Sequence, residues 1–167
     1  MATPTSLPAT FVAGNVLTAA QMNNLRGAFR ILQVVRATDT SDRSTTSSSY
    51  VDGNISVTIT PTSASSTLLI VWTASVGLAS VSNSVGYQRI TTSAGVALPG
   101  AEDSLVGASI SSGVYIPTAL IGYAAPATTS AVTYKGQFAV SGSGSPTMTL
   151  RNASSNTGQM IALEISA

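Results

Sequence analysis

The chain contains neither cysteine nor histidine, and only 8% of its residues are charged, against a usual share of about 25%. Without cysteine there is no disulfide framework and no thiolate chemistry. Losing histidine as well removes most nucleophile–base pairs and most transition-metal sites. Seven basic and six acidic residues leave a net charge of +1, which gives no basic face for neutralising phosphates, so nucleic acid is not an expected partner. The first basic residue is Arg26, so no charged n-region marks a secretory signal. The most apolar run, Leu68 to Val81, is too short to span a bilayer and is interrupted by Thr73, Ser75 and Ser80, so membrane insertion is not expected. A chain so poor in ions is either clothed in hydroxyls or covered by other subunits. Its near-zero net charge favours the second, because it promotes association.

Against that background one stretch stands out, Val16 to Leu32 (VLTAAQMNNLRGAFRIL). Thr18 followed by Gln21 fits a capping box, with Leu17 and Met22 placed for a hydrophobic staple. Met22, Leu25, Phe29 and Leu32 then recur at spacings of three, four and three, one apolar stripe of an α-helix. Gly27 weakens its middle by roughly 1 kcal/mol relative to Ala, so packing must hold the helix. The stripe is a docking face for the chain's own β body or for symmetry mates. Before it, Met1 to Asn15 carries Pro4, Pro8 and Gly14 and only one bulky apolar pair, Phe11 and Val12. That reads either as an extended arm able to hook a neighbouring subunit or as a frayed terminus.

The remainder reads as strands and turns. Ile31 to Thr38 is β-branched, and Thr40 to Ser49 is a polar loop without an apolar residue. Asp52-Gly53-Asn54 is a turn signal, after which Ile55, Val57 and Ile59 alternate with polar residues. Thr67 to Gly77 puts Leu68, Ile70, Trp72, Ala74 and Val76 on one face. Leu69 and Val71 on the other suggest a central strand covered on both sides. Further strands are expected over 85–90, 105–110, 114–124, 132–140, 147–151 and 159–166, with hairpin signals at Ser93-Ala94-Gly95 and Pro99-Gly100 between the first two. In the last strand Ile161, Leu163 and Ile165 are expected inward and Glu164 outward. About eight short strands at even spacing predict an all-β fold, an antiparallel β-sandwich or jelly roll preceded by the arm and one short α-helix. The domain split is 1–32 for arm and anchoring helix and 33–167 for the β-sandwich body.

Chemistry-bearing groups are sparse. Asp39, Asp42 and Asp52 flank one loop and could in principle hold a hard cation. Their spacing matches no EF-hand loop, and turn-forming Asx residues explain them better. Glu102-Asp103 reads as a solvated loop tip. Trp72 could stack on a sugar if exposed, yet its apolar strand argues for core packing. Gly142-Ser143-Gly144 lacks the lysine and helix of a phosphate loop. No catalytic, cofactor-binding or metal site is predicted. The residues singled out as anchoring or oligomer interface are Phe11, Val12, Leu17, Met22, Leu25, Phe29 and Leu32.

The block Ala9 to Asn23 (ATFVAGNVLTAAQMN) resembles an opening common in tailed-bacteriophage fibre and minor tail proteins, in which an aromatic, a VLTAA-x-MN run and a short helix precede the distal domain. Val57 to Ser66 (VTITPTSASS), Pro126 to Lys135 (PATTSAVTYK) and Met160 to Ala167 resemble segments of a phage virion β module. This sequence departs from that module at Thr67, where lysine is frequent, and at Gly136, where a larger residue is usual. The resemblance implies a non-enzymatic virion structural protein, homotrimeric, made in the host cytoplasm and assembled on the particle. Its implied partners are itself and other virion proteins. Three roles follow as expectations: a minor tail or tail-fibre protein, a capsid decoration protein, or a module binding host surface glycan.

Overall fold

The computed structural model describes residues 14, 16, 18, 19, 31–79, 84–107, 115–153 and 155–166. Ten strands are present among them: β1 (Ile31–Asp39), β2 (Arg43–Thr45), β3 (Val51–Ile59), β4 (Thr67–Ala79), β5 (Ser84–Thr92), β6 (Ala97–Gly107), β7 (Tyr115–Ala124), β8 (Val132–Ser141), β9 (Thr147–Leu150) and β10 (Gly158–Ile165). They pair antiparallel into two sheets. The larger runs β1-β10-β4-β9-β2, with β7 on the other side of β4; the smaller runs β3-β8-β5-β6. The all-β, sandwich-like fold expected from the sequence is what forms.

The core lies between the sheets and draws on nearly every strand. Leu68, Ile70, Trp72, Ala74 and Val76 of β4 meet Ile55, Val57 and Ile59 of β3 and Tyr134, Phe138 and Val140 of β8. Met148 and Leu150 of β9 point inward as their alternation required. Trp72 is 1% exposed, so it fills the core and no sugar can reach it. Its indole fits because position 136 is glycine: a Cβ there would come within 3.0 Å of two ring carbons and 2.9 Å of Ile55 Cγ2.

Several expectations change where long-range pairing overrides local signals. Arg43–Thr45, inside the expected loop, forms a short strand because β9 offers it a ladder. Asp52-Gly53-Asn54 is a bulge within β3 rather than a turn, with Asn54 at φ 56° and the register shifting between Asp52 and Ser56. Pro99-Gly100 likewise lies within β6, and Glu102-Asp103 sits in that strand opposite Arg89 and Gln88, so it is no loop tip. Leu32 belongs to β1, whose backbone pairs with β10, and is therefore outside any helix. The rest of the expected helix and arm, except Gly14, Val16, Thr18 and Ala19, lies outside the described residues.

The last strand carries the main inversion. Met160, Ala162 and Glu164 face the core, while Ile161, Leu163 and Ile165 face outward and are half-buried.

Candidate functional site

The outer face of the larger sheet is built by register. Val34 of β1, Leu163 of β10, Leu69 of β4 and Tyr123 of β7 lie opposite one another in one row across four strands. In the next row Arg36, Ile161, Val71 and Ile121 do the same, and Ile31 and Ile165 close the end of the sheet. Residues directly opposite on one face are the contacting unit of a sheet, so these side chains form one surface. Ile31, Val34, Ile121 and Tyr123 are each 55% to 58% exposed. A contiguous apolar patch of this kind marks an interaction surface, unlike scattered exposed hydrophobics. Arg36 is its one charge, and its Nε donates to Gln159 Oε1 at 2.9 Å.

Beyond Arg36 the same face turns polar. An open groove of about 830 Å³ runs over Thr73 and Ser75, bordered by Tyr115, Asn156 and Gln159. The Tyr115 ring lies on Gly77, where a Cβ would stand 2.5 Å from a ring carbon. Arg151 approaches the ring to 5.1 Å and donates from Nη1 to the phenol at 3.2 Å. Tyr115 is 37% exposed, so this groove presents an accessible aromatic among hydroxyls and amides.

The carboxylates singled out in the sequence serve the backbone. Asp39, 8% exposed, accepts from Arg43 at 3.0 and 3.2 Å, from the Ser41 amide at 3.1 Å and from Asn152 Nδ2 at 3.1 Å. Burial alone would raise its pKa; Arg43, with help from Ser41 and Asn152, outweighs that and holds it below the usual range. Asp42 accepts from the amides of Asn152 and Ala153 at 2.9 and 2.8 Å, and Arg151 stands 3.4 Å away. Asp52 caps its own bulge through the Asn54 amide at 2.7 Å, with Lys135 at 3.7 Å. Asp39 and Asp42 thus meet around Asn152, whereas Asp52 is engaged on the smaller sheet. Among the described residues no three carboxylates converge on a cation position.

Glu164, expected on the surface, is fully buried beneath the turn that follows β3. Oε1 accepts from the Thr62 amide at 2.7 Å and the Thr62 hydroxyl at 2.8 Å; Oε2 accepts from Gln33 Nε2 at 2.6 Å. Gln33 also donates to the Thr60 carbonyl at 2.6 Å, so one cluster ties β1, β10 and that turn together. Burial pushes the carboxyl up. Gln33, the dipole of buried Ser66 (whose hydroxyl makes no bond of good geometry) and Thr62 overcome it and bring the pKa down to about 2. No sequence signal separates this glutamate from a surface one, except that it alternates with Met160 and Ala162.

Of the predicted interface residues, Leu32 lies in β1 at the edge of the larger sheet. Phe11, Val12, Leu17, Met22, Leu25 and Phe29 lie outside the described residues. Among the described residues no helix is long and apolar enough to cross a membrane.

No protein-family model and no curated protein sequence matches the chain. Among solved structures it is similar to VP2 of infectious bursal disease virus in a subviral particle, at 12% identity and a TM-score of 0.40, over 80% of this chain and 39% of that one. It is similar to a mutant VP2 of the same virus in derived T=1 particles at 12% identity and a TM-score of 0.40, over 82% of this chain and 37% of that one. The chain spans under two-fifths of the length of either.

Proposed function

We propose that this chain is a non-enzymatic structural component of a tailed-bacteriophage virion, a homotrimeric minor tail or tail-fibre protein attached through its N-terminal leader. The observation that carries this is spatial. The three body segments resembling the phage module are distant in sequence and contiguous in the fold. Val57, Thr58 and Ile59 pair with Tyr134, Thr133 and Val132, and the Thr58 and Thr133 hydroxyls bond at 2.8 Å. Thr62, within the first segment, is held by Glu164 of the third. Segments alike only in composition have no reason to assemble into one corner. Segments that build the joint between two sheets do.

The leader block from Ala9 to Asn23 supports the tail reading over capsid decoration, since its resemblance is to fibre and minor tail openings. Antibody labelling of intact particles tests it: label confined to the tail is expected, and label distributed over the head would favour decoration instead. One observation favours a further role at the host surface, the exposed Tyr115 in its polar groove. Flat aromatic faces bordered by hydrogen-bonding groups suit saccharide rings. Loss of glycan binding in Tyr115→Ala, with the fold intact, would support that role, and a glycan array without any binding would remove it.

A further inference from the structure

We infer that the apolar outer face of the larger sheet is the seat for the leader helix of a neighbouring copy of this chain. The inference rests on the homotrimeric reading above and names its contact.

The two surfaces match in size and chemistry. The patch crosses four strands, β1, β10, β4 and β7, a width of about 14 Å at ~4.8 Å per strand. The helix expected after the Thr18 cap, Ala19 to Phe29, would be about 16 Å long, enough to lie across all four. Its stripe of Met22, Leu25 and Phe29 is aliphatic and aromatic, as are Val34, Leu69, Ile121 and Tyr123 beneath it. Arg26 and Arg30 fall off the stripe, and the exposed Arg36 stands on the edge strand β1, where its guanidinium can stay in water at the rim of the contact.

The connection favours a neighbour over the chain's own sheet. With the expected helix running to Phe29, only Arg30 separates it from β1, which begins at Ile31, to lift the chain from the sheet onto its outer face. Connections from helix to strand normally take roughly two to six residues. A neighbour's face carries no such restriction. A contact between unlike surfaces, stripe on one copy and patch on the next, also closes into a ring when the rotation permits. Every copy then gives one helix and receives one, leaving neither surface bare.

The cysteine-free sequence makes the test direct. Leu25→Cys and Ile121→Cys are introduced on separately tagged copies, which are co-expressed, oxidised and separated without reductant; a second preparation carries both substitutions in one chain. A disulfide between the two tagged copies, and covalent dimers and trimers from the double variant, are expected. Monomers closed internally in the double variant, with no bond between tagged copies, would overturn the inference in favour of the chain's own leader. Bonding only between Ile121→Cys copies would overturn it in favour of face-to-face pairing. The native mass of the unmodified protein separates failures: a trimer without the Leu25–Ile121 bond sinks the seat alone, whereas a monomer at micromolar concentration sinks the trimer as well.

Discussion

The two sheets wear opposite coats. On the smaller one, Asp52, Ser56 and Thr58 of β3 and Thr133, Lys135 and Gln137 of β8 face outward. They are tied by the Thr58–Thr133 hydroxyl bond, the Lys135–Asp52 ion pair and the Arg89–Gln137 bond at 2.9 Å. On the larger one the corresponding rows are valine, leucine, isoleucine and tyrosine, with Arg36 alone at the β1 edge. A half-solvated antiparallel sheet usually alternates apolar inward and polar outward. The smaller sheet obeys that rule and these rows of the larger one break it, and the proposed seat rests on that contrast.

The largest expected effect comes from making the two coats alike. Ile121→Asp places a carboxylate in the middle of the apolar rows, where association would have to bury it unpaired. Sedimentation should show the variant as a monomer with its β circular dichroism unchanged. Thr58→Asp, an equal change on the smaller sheet, should leave the mass of the assembly as it was. An assembly that survives Ile121→Asp would mean the apolar rows are not what holds it together.

Inside the sandwich the sheets differ again, now in how each treats a buried polar side chain. Glu164 on the larger sheet is satisfied by three donated hydrogen bonds of 2.8 Å or less. Its pKa falls from 4.5 to about 2, which corresponds to about 3 kcal/mol at neutral pH. Because the folded value lies below the unfolded one, this stabilisation is complete above about pH 4.5 and is lost as pH falls toward 2. Glu164→Gln should cost roughly 2–3 kcal/mol at pH 7, since an amide turns a donor toward groups that already donate. Denaturant melts should also show a smaller loss of stability between pH 4.5 and 2 in the variant than in the parent. Parallel pH curves would mean that the cluster does not govern acid unfolding.

How far the sequence could be read turns on the same contrast. The phase of β4 and β8 was legible because one face of each is plainly more apolar and that face is the core. In β10 the same rule points the wrong way: Ile161, Leu163 and Ile165 outweigh Met160, Ala162 and Glu164, yet they lie outside. Periodicity locates the more apolar face, and only an outer face meant for water makes that the inner one. The doubly apolar β4, read as a central strand covered on both sides, is central between β10 and β7, but only one of its faces is buried. Its second face, Leu69 and Val71, is half-exposed and belongs to the patch. The bulge at Asp52-Gly53-Asn54 and the strand at Arg43–Thr45 were beyond local reading because distant ladders create them.

A smaller effect tests the fit between the sheets. Gly136 of β8 leaves the space that Trp72 of β4 fills, and Ile55 closes it from the side. Gly136→Ala should cost about 1–3 kcal/mol by overpacking, since the indole and Ile55 must both shift. A thermal melt checks this. No loss would mean that the ring has room to move and that the larger residue usual at this position in the resembling phage module could be accepted.

The smallest expected effect has the opposite sign. Gln88 on the inner face of β5 is as fully buried as Glu164, but among the described residues neither its amide oxygen nor its nitrogen has a partner. Its strand neighbours on that face are Gly86 and Ile90, and it lies opposite Phe138 of β8. A buried amide in this condition has lost its water and gained nothing in return, a cost of about 1–3 kcal/mol by mutational measure. Gln88→Met keeps nearly the same length and flexibility and removes both polar atoms, while methionine fills an irregular gap without strain. The variant should therefore be more stable by about 1 kcal/mol in urea, with an unchanged slope. A destabilised Gln88→Met would show that the amide is bonded in solution, and the contrast with Glu164 would then be one of partner rather than of satisfaction.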